Sequence, residues 1–141
     1  MMRFQLVSAQ GVKYDGDAYE VLIPTAAGTI AVFEDHMPLI SAAHGGVVSV
    51  RVKQGDRDDD MKHFAVNGGI MQVQGKELRF LSDDVSSSDE VNEKEAEAAL
   101  ARSEELIRVA GSQKELAEAH RVLGHSRAQL QVAKMRRRHH N

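Results

Sequence analysis

Hydrophobic and polar residues alternate with a period of two over residues 4–82. Tyr19, Val21 and Ile23, for example, fall on one side of a strand. Turns that contain glycine, such as the one at residues 67–69, recur roughly every ten residues. Many short alternating strands joined by such turns predict an N-terminal all-β antiparallel sandwich.

The period changes to that of a helix after a polar segment at residues 83–89. Small and apolar residues then recur at i, i+3 and i+4, and we expect Ser87 or Asp89 to cap the first helix. We expect Gly111 to end that helix in a left-handed conformation and Ser112 to cap a second helix at once. Two capped helices with so short a break predict a C-terminal antiparallel α-helical hairpin.

These patterns divide the chain into four parts. We expect the sandwich over residues 1–85, a linker over residues 86–89, the hairpin over residues 90–138 and a tail over residues 139–141. The predicted contact between the helices is rich in alanine and serine and has few large side chains. Because each small side chain buries little area, at roughly 25 cal/mol per Å², we expect a weakly held hairpin that can open.

Charge separates the two helices. Residues 89–109 hold seven acidic and three basic residues, a net charge of −4, whereas residues 113–138 hold two acidic and seven basic residues, a net charge of +5. The helices attract each other when paired, and the basic helix can equally bind an acidic surface elsewhere. The sequence leaves open whether the run at 136–138 is only solvated, binds an acidic protein surface, or binds phosphate, nucleic acid or anionic lipid.

Composition narrows the possible classes of protein. The 141 residues are 42% apolar and 4% aromatic, with no cysteine and a formal net charge of −3. Lack of cysteine excludes disulfides and thiolate metal sites, and the charge argues against a general nucleic-acid binder. We expect no direct insertion into a membrane, because no apolar run approaches the roughly 20 residues that a span needs and the first residues lack a signal-peptide pattern.

No motif typical of nucleotide binding or metalloprotease catalysis occurs in the sequence. The acidic run at 56–60 lacks the turn glycine and the final glutamate of a calcium loop, so we interpret it as a solvated hairpin tip. His120 and His125 lie five residues apart, on different faces of a helix, and are poor ligands for one metal ion. The cluster at 34–36 resembles an acid–base unit but has no nucleophile nearby, which favours a contact role.

Three segments carry a further signal. Residues 27–40 form a loop and strand that end in His-Met-Pro-Leu, residues 66–73 and 78–81 form a Gly-Gly turn and closing hairpin, and residues 128–134 end the last helix. In this order, on this predicted architecture, they resemble the epsilon subunit of the F-type ATP synthase. The resemblance covers essentially the whole chain.

The resemblance implies a non-catalytic subunit of the central stalk, or rotor. Such a subunit couples the c-ring and the gamma subunit to ATP synthesis in the catalytic head, and its hairpin inhibits ATP hydrolysis when extended. The implied partners are therefore gamma, the c-ring and an acidic segment of the catalytic beta subunits. The implied location is the cytoplasmic face of the bacterial cell membrane, as a peripheral part of the complex.

The resemblance also implies two groups of contact residues. Those expected to face the c-ring or gamma are Gly28, Thr29, Phe33, Glu34, Asp35 and His36. Those expected to meet the catalytic head in the inhibited state are Arg121, Arg127, Lys134, Arg136, Arg137 and Arg138.

Some members of that family bind ATP through an Ile/Leu-Asp-x-x-Arg-Ala start to the first helix. The matching positions here are Val91, Asn92, Glu95 and Ala96. Asparagine replaces the aspartate, and Glu95 places negative charge where a triphosphate needs positive charge. We therefore expect weak or absent ATP binding and no other cofactor or metal.

Without the resemblance, the pattern permits other classes of protein. One is a β-sandwich ligand-binding module with a coiled-coil oligomerisation tail, but the few aromatic residues fall mostly at core positions. A hydrolase or isomerase on a small β-barrel lacks the required cluster of polar residues. A helical-hairpin chaperone cofactor does not need so large a sandwich.

Overall fold

The computed structural model describes the backbone of residues 1–140 and the side chains of residues 1–135. Within that part of the chain, eight strands and a short 3₁₀ turn at Asp58–Asp60 precede two α-helices. The strands are β1 (Met2–Ser8), β2 (Gly11–Ala18), β3 (Glu20–Thr25), β4 (Gly28–Phe33), β5 (Leu39–Arg51), β6 (Lys62–Gln74), β7 (Glu77–Leu81) and β8 (Val85–Ser87). The helices are α1 (Glu93–Val109) and α2 (Gln113–His140).

Hydrogen bonds join the strands in the order β2-β1-β7-β6-β5-β3-β4, and β8 pairs with β6. Neighbouring strands are antiparallel except β1 and β7, which are parallel. The two long strands connect two layers. Residues 39–43 of β5 pair with 69–73 of β6, and residues 46–50 pair with 62–66.

The first layer therefore consists of β2, β1 and β7 with one half of β6 and β5, and the second layer of β8, β3 and β4 with the other halves. The inward side of β6 changes between the halves: Phe64 and Val66 are buried in one, and Met71 and Val73 in the other. This change from even to odd positions spans Gly68 and Gly69, which both have positive φ.

Side chains from both layers form one continuous core, which confirms the predicted sandwich. Its largest fully buried members are Phe4, Phe80, Met2, Leu6, Ile23, Met71, Leu78, Val21, Val32, Val48, Val50 and Val66.

The helices form the predicted hairpin, but two predicted boundary signals are wrong. Asn92 caps α1, because its Oδ1 accepts the Glu95 N–H at 3.1 Å. Ser87 donates to the Glu90 side chain at 3.0 Å instead. Gly111 has no positive φ; α1 ends at Val109, and its C-cap residue Ala110 is extended.

Two other features concern the ends of the hairpin. Ser112 caps α2 as predicted, since its Oγ accepts the Glu115 N–H at 3.1 Å. Strand β8 includes Ser86 and Ser87 of the segment predicted to be a linker, and both pair with β6. The connection between sandwich and hairpin is therefore residues 88–92. Neither helix, within the described residues, has the length and apolar character that crossing a bilayer requires.

Candidate functional site

The seam between the helices is built from small side chains. On α2 it consists of Ala119, Leu123, Ser126, Leu130 and Ala133, which recur at helical spacing. The stripe predicted from the sequence therefore lies at the contact. Leu106 of α1 is the main departure, because its side chain remains half exposed.

A buried pair of hydroxyls fixes the register of the seam. Ser103 Oγ donates to the Ala99 carbonyl at 2.8 Å, so Ser126 Oγ, 3.2 Å away, donates to Ser103. Both serines are almost fully buried, at 1% and 4% exposure. Nearer the start of α1, Val91 and Ala96 pack against Leu130 and Ala133.

A second face of α2 contacts the sandwich. Ala128 and Val132 pack on Ala65 and Val47, on the outer side of the second layer. Two polar contacts lie beside them at helical spacing. His125 Nε2 is 3.0 Å from Asp84 Oδ2, and Gln129 Nε2 donates to Ser86 Oγ at 3.3 Å. We call His125, Ala128, Gln129 and Val132 the docking face.

The sequence interpretation missed the docking face. It considered His125 only as a possible metal ligand and placed Asp84 in the polar segment at residues 83–89. The signal was nevertheless present, because the four residues of this face recur at i, i+3, i+4 and i+7 beside the seam. What the sequence did not supply was the surface that the second stripe covers.

The cations predicted to meet the catalytic head do not form a single surface. Arg127 and Lys134 are seven residues apart on α2, share one side and are exposed. Arg121 is turned by about 120° from Arg127, and its guanidinium is paired with Glu118 at 2.5 Å. The side chains of residues 136–138 lie outside the described residues.

The residues predicted to face the c-ring or gamma lie at both ends of β4. Gly28 and Thr29 begin the strand, Phe33 ends it, and Glu34 to His36 follow. The two groups are about 17 Å apart along the strand. Because β4 is the last strand of its layer, its free edge joins both groups.

Glu34 is held in its ionised form. Its Oε2 accepts a hydrogen bond from the Met1 amine at 3.0 Å, and that bond and charge lower the pKa of the carboxyl. Lys76 Nζ, 3.7 Å from Oε1, lowers the pKa further. Asp35 beside it has a φ of 64°, a left-handed conformation that is uncommon outside glycine. The turn after β4 is thus a charged, sharply bent corner.

An apolar patch covers the outer side of the first layer. It consists of Ile40, Ala42, Ile70 and Leu81. The register places Ala42 beside Ile70 and Ile70 beside Leu81 across three strands. Ile40, Ile70 and Leu81 are 71%, 56% and 49% exposed. The sequence interpretation missed this patch, although apolar residues out of phase with the core were its signal.

Similarity to known proteins decides the family. Residues 1–88 match the family described as ATP synthase, Delta/Epsilon chain, beta-sandwich domain. A relative from Neisseria meningitidis serogroup B named ATP synthase epsilon chain is 32% identical over 139 residues, which are 99% of this chain and 97% of the relative. The chain belongs to the ATP synthase epsilon-chain family. The resemblance found in the sequence is confirmed.

Solved structures share the fold over nearly the whole chain. A chain in the mitochondrial ATP synthase of Euglena gracilis, solved with OSCP, F1 and the c-ring, has a TM-score of 0.77 at 13% identity. The match covers 94% of this chain and 81% of that chain. A chain in the central stalk and c-ring of the Tetrahymena thermophila mitochondrial ATP synthase has a TM-score of 0.60 at 11% identity, with 92% and 94% covered.

Members of the epsilon-chain family are subunits of the ATP synthase and do not themselves catalyse its reaction. Within the described residues, no three histidine, aspartate or glutamate side chains gather in an arrangement that can hold a metal ion.

The positions that correspond to the ATP motif of some epsilon chains have other partners here. Val91 is buried against the hairpin, Asn92 caps α1, and Ala96 packs on Ala133. Glu95 is exposed in the first turn of α1, where a negative charge interacts favourably with the helix dipole. These residues stabilise the start of the hairpin.

Proposed function

We propose that this chain is a rotor subunit whose sandwich binds the gamma subunit and the c-ring, and whose hairpin restrains ATP hydrolysis. The observation that carries the proposal is the unequal covering of the sandwich. The outer side of one layer exposes the apolar patch, and the outer side of the other lies under the docking face of α2. One side is thus available for a permanent partner, and the other has a removable cover.

The apolar patch fits the gamma subunit. Contiguous exposed apolar side chains on a regular sheet favour a stable protein partner over solvent. Gamma is the stalk partner that the family resemblance implies, and the patch lies on the side of the sandwich that the hairpin leaves open. Binding there leaves α2 free to dock or to move.

The free edge of β4 fits the c-ring. Thr29 and Phe33 are exposed along this edge, and the charged corner at Glu34 and Asp35 extends it. Polar and charged groups on a ring of c subunits can pair with this corner without any insertion into lipid. The proposed location is therefore the cytoplasmic face of the bacterial membrane, held there by the ring.

The hairpin fits the role of a restraint on hydrolysis. Its docking contact consists of two small apolar residues on α2 and two polar contacts, so the contact is weak. Arg127 and Lys134 are exposed and can pair with an acidic segment of the catalytic beta subunits. Each exposed ion pair contributes about 0–1 kcal/mol, so several together match what undocking costs, as a reversible switch requires.

ATP is not a ligand of this hairpin in the proposed function. Asn92 is occupied by capping, and Glu95 adds negative charge at the position where related epsilon chains carry arginine. Isothermal titration calorimetry with ATP tests this directly. We expect no binding in the micromolar range, and micromolar affinity would contradict the proposal.

Truncation after Ser88 tests the restraint. The family match ends at residue 88, the main core lies within residues 2–85, and β8 is retained, so the sandwich keeps its own core. We expect the assembled ATP synthase to hydrolyse ATP faster with the truncated chain, while assembly is unchanged. Equal hydrolysis with both forms would remove the inhibitory role and leave the stalk role.

Substitution of Ile70 by aspartate tests the gamma contact. Ile70 lies at the centre of the apolar patch and is 56% exposed, so the fold tolerates the change. We expect co-purification with gamma to fall about tenfold or more, as for the central residue of an interface. Gln74→Asp is the control, because Gln74 is exposed at the end of the same strand and lies opposite Glu77, which is not a patch residue. An equal loss in both variants would contradict the proposed contact.

A further inference from the structure

The two contact faces of α2 share no residue. The seam uses Ala119, Leu123, Ser126, Leu130 and Ala133, and the docking face uses His125, Ala128, Gln129 and Val132. The apolar cluster between helix and sheet contains residues of α2 and the sheet alone. The hairpin can therefore leave the sandwich without breaking any contact within the seam.

The connection changes its attachment between two adjacent residues. Glu90 belongs to the sandwich, since Lys13 Nζ of β2 lies 3.1 Å from its Oε2, and its own N–H donates to the Ser87 carbonyl at 3.1 Å. Val91 belongs to the hairpin, because its buried side chain packs against Ala96 and Ala133. Because the two residues that this peptide bond joins are attached to the sandwich and to the hairpin respectively, a hinge is expected between them.

From these contacts we propose that the hairpin undocks as a closed pair of helices that turns at the junction of Glu90 and Val91. The inference rests on the proposed release of the hairpin and specifies its first step. The cations on α2 then move with α1 still attached, and separation of the helices is a later event.

The contacts and charges favour undocking of the hairpin before separation of its two helices. Undocking exposes Ala128 and Val132 and breaks two side-chain contacts with the sandwich. Opening the seam would in addition expose Leu123 and the buried pair Ser103 and Ser126. The net charges of −4 and +5 on the two helical segments also favour keeping the two helices together when α2 leaves the sandwich.

A disulfide across the seam tests the proposal. The oxygens of Ser103 and Ser126 lie 3.2 Å apart, so S103C/S126C places two sulfur atoms in contact. The chain contains no other cysteine. The pair is introduced together with Asp84→Ala, which weakens docking, and the Ala65 and Val47 methyl NMR signals report whether α2 covers the sandwich. The single variant S126C with Asp84→Ala is the control.

We expect the undocked population in the oxidised protein to equal that in the same protein after reduction, to within about twofold. If exchange between the docked and undocked states were lost only in the oxidised form, the helices would have to separate before undocking. That result would overturn the closed-pair proposal and leave the proposed function intact. Absence of exchange in the reduced form as well would overturn both the release and the restraint that depends on it.

The position of the hinge has its own measurement in the same samples. We expect the nuclear Overhauser contact between the Val91 and Ala133 methyls to persist in the undocked state, together with slow exchange of the Glu90 amide. Loss of the Val91–Ala133 contact on undocking would place the hinge after Val91 and contradict the assignment.

Discussion

The imidazole Nε2 of His125 lies 3.0 Å from Asp84 Oδ2 and joins α2 to the loop before β8. Asp84 is itself well positioned, because its carbonyl oxygen accepts the Asn67 N–H at 3.1 Å and the Ser82 hydroxyl at 3.2 Å. A side chain of a loop held by two hydrogen bonds is thus opposite a side chain of α2. This contact fixes where along α2 the helix docks.

Substitution of Asp84 by alanine should weaken docking. It removes one hydrogen bond to a carboxylate, which contributes about 1 kcal/mol, so we expect the undocked population to rise about fivefold. Methyl NMR of Ala65, which α2 covers, measures that population. Asp83→Ala is the matched control, because Asp83 is an exposed acid at the adjacent position. A similar rise in both variants would contradict a specific role for the His125 contact.

Gly69 is the position in the sandwich that tolerates a side chain least. A Cβ there would lie 2.1 Å from the Leu81 carbonyl oxygen and 2.9 Å from Phe80 Cε1, and the φ of 154° is one that other residues rarely adopt. We expect Gly69→Ala to lower the free energy of unfolding by about 3 kcal/mol. Urea denaturation measures this.

The control for that prediction is Gly55→Ala. Gly55 has no positive φ, and nothing lies within 4 Å of an added Cβ. We expect the free energy of unfolding of the Gly55→Ala variant to stay within about 0.5 kcal/mol of that of the parent protein. Equal stability of the two variants would mean that the backbone at Gly69 can adjust to a side chain with no loss of stability.

Glu34 should give the sandwich a pH-dependent contribution to stability. The Met1 amine and, to a lesser extent, Lys76 lower the pKa of this carboxyl below the ordinary value for a glutamate. A group with a lowered pKa in the folded state stabilises above the unfolded value, and this contribution is lost as the pH falls through the folded value. We expect Glu34→Gln to lower stability above pH 4.5 and to leave it unchanged in stronger acid.

Urea denaturation from neutral pH into the acid range measures this difference. Glu77→Gln is the control, because Glu77 is an exposed glutamate beside Lys76 and forms no ion pair within the described residues. Since the Glu34 side chain is exposed, added salt should reduce the effect. A difference that persists in strong acid would show that the contribution does not come from the charge of Glu34.

Period and turn chemistry predicted the architecture because they are local properties of the chain. Alternation over the strands and the i, i+3, i+4 stripe of the seam needed no knowledge of the partner surface. The capping residue was missed because Ser87, Asp89 and Asn92 all have suitable side chains. Pairing of Ser86 and Ser87 with β6 and the bond from the Glu90 N–H to the Ser87 carbonyl keep the chain non-helical there, and the helix begins only after Asn92.

The surfaces were harder to predict because they depend on contacts distant in sequence. His125 and Asp84 are 41 residues apart, and neither belongs to a motif. The apolar patch arises only when register brings Ala42, Ile70 and Leu81 together across three strands. A single exposed isoleucine in a sequence is ordinary, whereas several adjacent ones form a surface that another protein can bind.

Reversal of the two exposed charges on α2 should relieve the proposed restraint on hydrolysis. R127E/K134E replaces two cations that share one side of the helix and lie outside both the seam and the docking face, so docking itself is unchanged. Each exposed pair contributes about 0–1 kcal/mol, and we expect hydrolysis by the assembled enzyme to rise roughly three- to tenfold.

R102E/R108E on α1 is the matched control, since it changes the net charge equally on the other helix. Because the Ala65 methyl signal reports docking separately, a rise in hydrolysis with unchanged docking assigns the effect to contact with the catalytic head. Equal rates for the parent and R127E/K134E, or an equal rise in the control, would mean that these cations do not hold the hairpin in the head.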